Sequence, residues 1–356
     1  MDEPIQQKIE RDDSLVEVND MIMQQTFDVE YYHTLDSNSN TTFAVWAPCN
    51  VYNKKKLPIV LFQSGYGSDS VSHAPMLKSI ASAGFIVVAP DHRYDKFGGC
   101  FSVFGFLTGM SCAAMSTDGS HLGKAIHYVK NTSNRWMDRA DTNKIALMGF
   151  SMGGQEVIHA NARFPDDIKA IIVLSGSIML PLATAIGWNP CCYPFSGGSC
   201  TGLSDTPLGL CGMGKALRSW RVPSLFITSE RDMAKCGMYR AVDIVGGQST
   251  LITFKDEALD LEIPHTKKTT IWDCFTPLTC YGSPFYGLRQ HFALASETKD
   301  ISHLPINAFL RQHFYNDGNI NTNRTFTEYL VNSSINSRSP TKLCAPFPLF
   351  RSCCEC

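Results

Sequence analysis

Gly149-Phe150-Ser151-Met152-Gly153-Gly154 is the stretch on which the reading of this chain turns. The short apolar run Ile145-Ala146-Leu147-Met148 stands directly before it. Behind it, residues 152–163 carry helical spacing that Pro165 closes. A serine set between glycines at a strand-to-helix junction describes one local geometry: a turn too tight for side chains on its flanks, with the serine at its tip. Such a turn strains the serine backbone and lifts its hydroxyl to the rim of a sheet. It also aims the positive end of the following helix at the space in front of that hydroxyl. In a chain with 26 glycines the bare pattern arises by chance, so the strand before it and the helix after it give it its weight. Ser151 is therefore the candidate nucleophile.

Outward from that turn the same alternation repeats. Residues 42–46, 58–62, 85–89, 144–148, 170–174, 224–228 and 251–254 read as strands, the last of these as the final one. Residues 74–83 have helical spacing that stops at Gly84, 118–130 form a helix with Asp118 as its N-cap, and a closing helix covers about 306–315. Short, continuously apolar strands alternating with helices imply a mainly parallel, doubly wound sheet covered on both faces, an α/β fold. Residues 1–40 are polar and acidic and read as an arm with an edge strand. The main domain runs over 41–340 and a cysteine-rich tail over 341–356. Long insertions at about 95–117, 176–220 and 255–290 read as cap or lid segments walling a substrate pocket, since loops of that length usually carry function.

Three stretches together resemble the α/β-hydrolase superfamily: Ile59-Val60-Leu61-Phe62-Gln63-Ser64-Gly65-Tyr66-Gly67, then Gly84-Phe85-Ile86-Val87-Val88-Ala89-Pro90, then the glycine-flanked Ser151. They are most similar to its bacterial cutinase and polyester-hydrolase branch, to dienelactone-hydrolase-like proteins and to plant chlorophyllases. The resemblance covers about residues 42–175, thins through the insertions and returns near Asp232 and His291. It implies the α/β-hydrolase fold and a catalytic series in the order serine, acid, histidine. By position, the backbone N–H groups of Met152 and Tyr66 are the expected oxyanion donors. In Ser229-Glu230-Arg231-Asp232, Asp232 is the expected acid and Glu230 the reserve. Of the histidines that follow, His265, His291, His303 and His313, the pair His291-Phe292 resembles the catalytic-histidine loop of cutinase-like enzymes. His303, in Ser302-His303-Leu304, is its rival, and His313 reads as an ordinary helix residue.

Composition narrows the setting. Hydrophobic residues make up 44% and charged residues 18%, which suits a buried core, and the formal net charge of −2 gives no reason to expect nucleic acid or an anionic membrane as partner. The apolar stretches are too short to span a bilayer. Fourteen cysteines cluster, with Cys191, Cys192, Cys200 and Cys211 in one segment and Cys344, Cys353, Cys354 and Cys356 at the end. Only Cys353 and Cys356 have CxxC spacing, so disulfides are expected rather than zinc. With the sequons at Asn40, Asn131, Asn323 and Asn332, the cysteines lead to an expectation of a secreted or lumenal glycoprotein, although no apolar leader follows Met1. No metal or cofactor is expected, and the chain is expected to be a monomer.

The resemblance implies cleavage of carboxylic esters through an acyl-enzyme on Ser151, on hydrophobic or aromatic esters as in cutinases and polyester hydrolases. Two alternatives stand beside it: a chlorophyllase-like esterase on a long-chain amphiphile, and a non-catalytic relative that binds rather than cleaves. Phe150 and Met152 stand where chlorophyllases typically carry His and Arg, which counts against the former. A peptidase also stays open, because fold and triad do not fix the leaving group.

Overall fold

The computed structural model describes residues 27–49, 56–65, 68–91, 119–131, 136–176, 216–229, 232, 238, 241–242, 244–247, 249–254, 303–315 and 336–338. Among these, nine strands form one sheet: β1 (Val29–Asp36), β2 (Thr41–Pro48), β3 (Leu57–Gln63), β4 (Ile86–Pro90), β5 (Ala140–Phe150), β6 (Ile168–Leu174), β7 (Ser224–Ser229), β8 (Ser249–Phe254) and β9 (Asn336–Arg338). The order across the sheet is β1-β2-β4-β3-β5-β6-β7-β8-β9. From β4 to β8 every neighbouring pair is parallel, whereas β1 and β2 join one edge and β9 the other antiparallel. The helices whose bounds are described are α1 (Ala74–Ser82), α2 (Ser120–Asn131), α3 (Met152–Arg163) and α4 (His303–Phe314).

The central strands carry continuous apolar runs because both faces of the sheet are covered there. Side chains alternate between faces along a strand, and the core divides accordingly. Ile59, Leu61, Ile145, Leu147, Ile171 and Val173 pack with α2 and α3 residues such as Leu122, Ile126, Val157 and Ile158. Val60, Phe62, Ala146, Met148, Ile172 and Leu174 pack on the opposite side with Met76 and Ile80 of α1 and Ile306 and Leu310 of α4. A period-two pattern with no polar phase is thus what a doubly covered parallel strand requires. At the edge, β1 alternates exposed and half-buried residues, and Arg139 anchors it by donating to Glu30 at 2.8 Å and to the Pro48 carbonyl at 2.6 Å.

Two local readings are corrected. β8 is not the last strand, since β9 adds antiparallel beyond it: Asn336-Ser337-Arg338 carries no apolar run that would mark it in the sequence. The second helix begins at Ser120 rather than 118, and Asp118 lies outside the described residues. Its start is satisfied from another helix: buried Glu156 of α3 accepts the N–H groups of Gly119, His121 and Leu122 at 3.1, 2.8 and 3.3 Å. The insertions near 95–117, 176–220 and 255–290, apart from residues 176 and 216–220, lie outside the described residues, as do residues 1–26 and the tail 341–356. Among the described residues, no helix is long and apolar enough to cross a membrane.

Candidate active site

Because β3, β5, β6 and β7 run parallel, their C-terminal ends share one rim of the sheet, where α/β folds place their ligand sites. The chain leaving each strand brings one part of the site to that rim: Gly65 after β3, Ser151 after β5, Ser175 after β6 and Asp232 after β7.

Ser151 joins β5 to α3 with φ 55° and ψ −116°. A non-glycine residue in this region costs on the order of 1–3 kcal/mol and persists only where its surroundings hold it. Here the Ser151 N–H donates to the Leu174 carbonyl at 3.0 Å, and the Ser151 carbonyl accepts the Gly154 N–H at 3.0 Å. The flanking glycines are required by close approach. A Cβ on Gly149 would stand 2.1 Å from the Gly153 carbonyl oxygen, and one on Gly153 would stand 2.0 Å from the Gln63 carbonyl oxygen. Removing both side chains lets α3 begin directly over the end of β3. Gly65 does the same on the other side, since its own Cβ would lie 2.8 Å from the Ser151 Cβ. Ser151 itself is half-buried, with Phe150 before it buried and Met152 after it opening α3.

Asp232 is fully buried, its N–H donating to the Ser229 carbonyl at 3.2 Å. Its Oδ2 accepts a hydrogen bond from the Ser175 hydroxyl. Ser175, itself fully buried at φ 44°, donates its N–H to the Ile227 carbonyl at 2.8 Å. The end of β6 therefore ties both neighbours: Leu174 holds the Ser151 turn and Ser175 holds Asp232. Sequence reasoning missed Ser175. Its only trace was a Ser-Gly pair directly after the apolar run of β6, a pattern that marks many ordinary strand ends.

Tyr66, Glu230, His265 and His291 lie outside the described residues. His303 is the first residue of α4, buried, on a helix that packs against α1, where Asn307 donates to the Ser79 hydroxyl at 3.3 Å. His313 lies in the last turn of the same helix, its ring 4.5 Å from that of Phe309. The free thiol of Cys49 is pushed up in pKa, chiefly by burial and then by Glu30 and Asp28. The cysteine clusters expected to form disulfides lie outside the described residues.

A parallel sheet in this strand order, doubly covered, with a serine on a strained turn between its central strand and the next helix, is the α/β-hydrolase fold. Comparison with known proteins adds a narrower likeness: residues 41–182 match the family model described as X-Pro dipeptidyl-peptidase (S15 family), a serine hydrolase family of this fold. The match includes the Ser151 turn and ends before Asp232, and it supports a hydrolase of the serine type. No curated protein matches the chain.

Proposed function

We propose that this chain is a serine hydrolase that cleaves carboxylic esters through an acyl-enzyme on Ser151, with His291 as base and Asp232 as the acid that orients it. The observation that carries this reading is the backbone of Ser151, held at φ 55° between β5 and α3 with Gly65 packed against its Cβ. A fold maintains such strain where the exposed hydroxyl is used. In the proposed reaction His291 takes the Ser151 hydroxyl proton as the oxygen attacks the ester carbonyl. The tetrahedral oxyanion is met by the N–H groups of Met152, at the α3 N-terminus, and Tyr66. The alcohol departs with the proton from His291, and water activated by the same imidazole releases the acid. Burial of Asp232 with the Ser175 hydroxyl bound to it suits an orienting carboxylate, which must be held in one direction.

The substrate proposed is a discrete hydrophobic or aromatic ester in a pocket walled by the three insertions. Cleavage of an amide after proline is the second reading, favoured by the S15-family match. That match covers β2 to β6 with the nucleophile and the first insertion, and stops before Asp232, His291 and nearly all of the other two insertions. It therefore speaks for the catalytic scaffold more than for the bond cut. Fourteen cysteines and four sequons support a secreted or lumenal setting, testable by counting free thiols in the purified protein.

A fluorophosphonate that labels serine nucleophiles, followed by turnover of p-nitrophenyl esters of increasing acyl length and of Ala-Pro-p-nitroanilide, tests the proposal. Labelling and ester turnover in the parent, both absent in Ser151→Ala, are expected. Turnover of the anilide with no ester turnover would replace the ester reading by the peptidase one, and no labelling at all would overturn both.

A further inference from the structure

The segment that follows β3 is held by its own polar groups. The Ser64 hydroxyl donates to the Ser68 carbonyl at 2.9 Å. The Gly65 carbonyl receives the Ser68 N–H at 3.4 Å and the Ser68 hydroxyl at 3.1 Å. His73, only 4% exposed, stands with Nε2 at 3.3 Å from that same hydroxyl. A hydroxyl carries one proton. With it given to Gly65, Ser68 Oγ can only accept from His73, which sets the Nε2–H tautomer and a one-way chain from His73 through Ser68 to Gly65. The start of this chain is fixed in turn. The His73 ring lies 5.2 Å from that of Phe62 and 5.3 Å from that of Phe150, and the His73 backbone N–H donates to the Ser70 carbonyl at 3.1 Å. The relay thus begins on a ring packed against the residue before Ser151 and ends on the glycine packed against the Ser151 Cβ.

We propose that His73 and Ser68 are positioning residues for the oxyanion side of the site, a role that rests on the serine-hydrolase reading above. A trans peptide is planar and carries its C=O and N–H on opposite sides. Whatever fixes the Gly65 carbonyl therefore fixes the direction of the amide that follows it, the one assigned by position to the oxyanion. The buried imidazole supplies what a solvent-exposed donor could not: a hydrogen bond that holds its direction while the substrate comes and goes, in a site where small misplacement is costly.

The test uses the parent, Ser68→Ala, Ser68→Thr, His73→Leu and His73→Gln. Each is followed by thermal melting, by the rate of fluorophosphonate labelling and by kcat and KM on p-nitrophenyl butyrate. Ser68→Ala is expected to lower kcat and the labelling rate about tenfold, with KM within about twofold and the melting temperature close to the parent's. His73→Leu should show a similar loss, whereas Ser68→Thr and His73→Gln, which keep a hydroxyl and a side-chain N–H, should regain most of it. If Ser68→Ala retains the parent kcat and labelling rate, the relay is overturned while the hydrolase reading stands. If rate falls only as the folded fraction falls, or the conservative variants fail to recover it, the relay is likewise overturned. A folded parent that the probe does not label brings down the hydrolase reading, and the relay with it.

Discussion

Gly153→Ala puts the geometry of the Ser151 turn to a quantitative test. In an ordinary helix this replacement stabilises by about 0.8–1 kcal/mol, because alanine loses less backbone freedom on folding. At this position the added methyl would meet the Gln63 carbonyl oxygen at 2.0 Å, the Gln63 carbonyl carbon at 2.7 Å and the Ser64 carbonyl oxygen at 2.8 Å. All three are backbone atoms of β3 and its exit, so no side chain can swing aside. Reaching ordinary contact at 3.4 Å requires α3 and β3 to separate by about 1.4 Å along that line. Overpacking of this kind costs about 1–3 kcal/mol, and contact with backbone alone puts this case at about 3, so that after the helix gain a net loss of about 2 kcal/mol is expected. For a domain of about 300 residues that lowers the melting temperature by about 3 °C. The movement also draws Ser151 away from Gly65, and a misplacement near 1 Å can cost about a hundredfold in rate. Differential scanning fluorimetry and fluorophosphonate labelling read the two effects separately. Gly247→Ala, whose methyl would meet nothing within 4 Å, is the matched control and should stay within about 0.5 kcal/mol of the parent. A Gly153→Ala protein with the parent's melting temperature and labelling rate would refute the claim that this glycine is needed for α3 to sit on β3.

Further outcomes follow from the same coordinates. Ser175→Ala removes the hydroxyl that Asp232 accepts and leaves a buried carboxylate short of a donor. Turnover should fall about tenfold with little change in KM, as steady-state kinetics would show. Glu156→Ala strips the acceptor from three N–H groups at the start of α2 and should destabilise by about 2–4 kcal/mol in urea unfolding, with Glu156→Gln costing less. Tyr315→Phe deletes the hydroxyl that donates to the Gly84 carbonyl at 2.6 Å, at a cost of about 1 kcal/mol. Burial holds the Tyr315 phenol well above its ordinary value of about 10, against a smaller opposing pull from Arg311. On unfolding the phenol ionises more easily, so its contribution is fully present below pH 10 and declines as pH rises beyond it. The parent should therefore lose melting temperature above pH 10 more steeply than Tyr315→Phe, and equal slopes would contradict that.

How far the chain could be read before its structure depended on the range of the interaction. The strands 58–62 and 85–89 and the helix 152–163 were visible because burial on both faces writes a continuous apolar run, and because Gly84 and Pro165 end their helices locally. The Ser151 turn was visible because one of its glycine requirements is local, Gly149 against Gly153, although Gly153 itself answers to Gln63 of β3, far away in the chain. β9 was invisible, since its three polar residues carry no apolar run, and their pairing with β8 leaves no mark in the local sequence. The start of α2 was misplaced by two residues because its cap is Glu156, which lies 37 positions from Gly119 and has no signature near 118.

Sequence by itself determined the α/β class, the covered parallel sheet and the position of the serine turn, because burial period and the glycine-flanked serine between a strand and a helix are written within short segments. Only the tertiary structure decided which strand ends meet. The order β4-β3-β5-β6-β7 brings Gly65 to Ser151, and it brings Ser175 to Asp232 across 57 residues of chain. Those contacts depend on surfaces that become neighbours only when the whole sheet assembles. A buried carboxylate held by a distant hydroxyl leaves in the sequence nothing more than an aspartate and a serine.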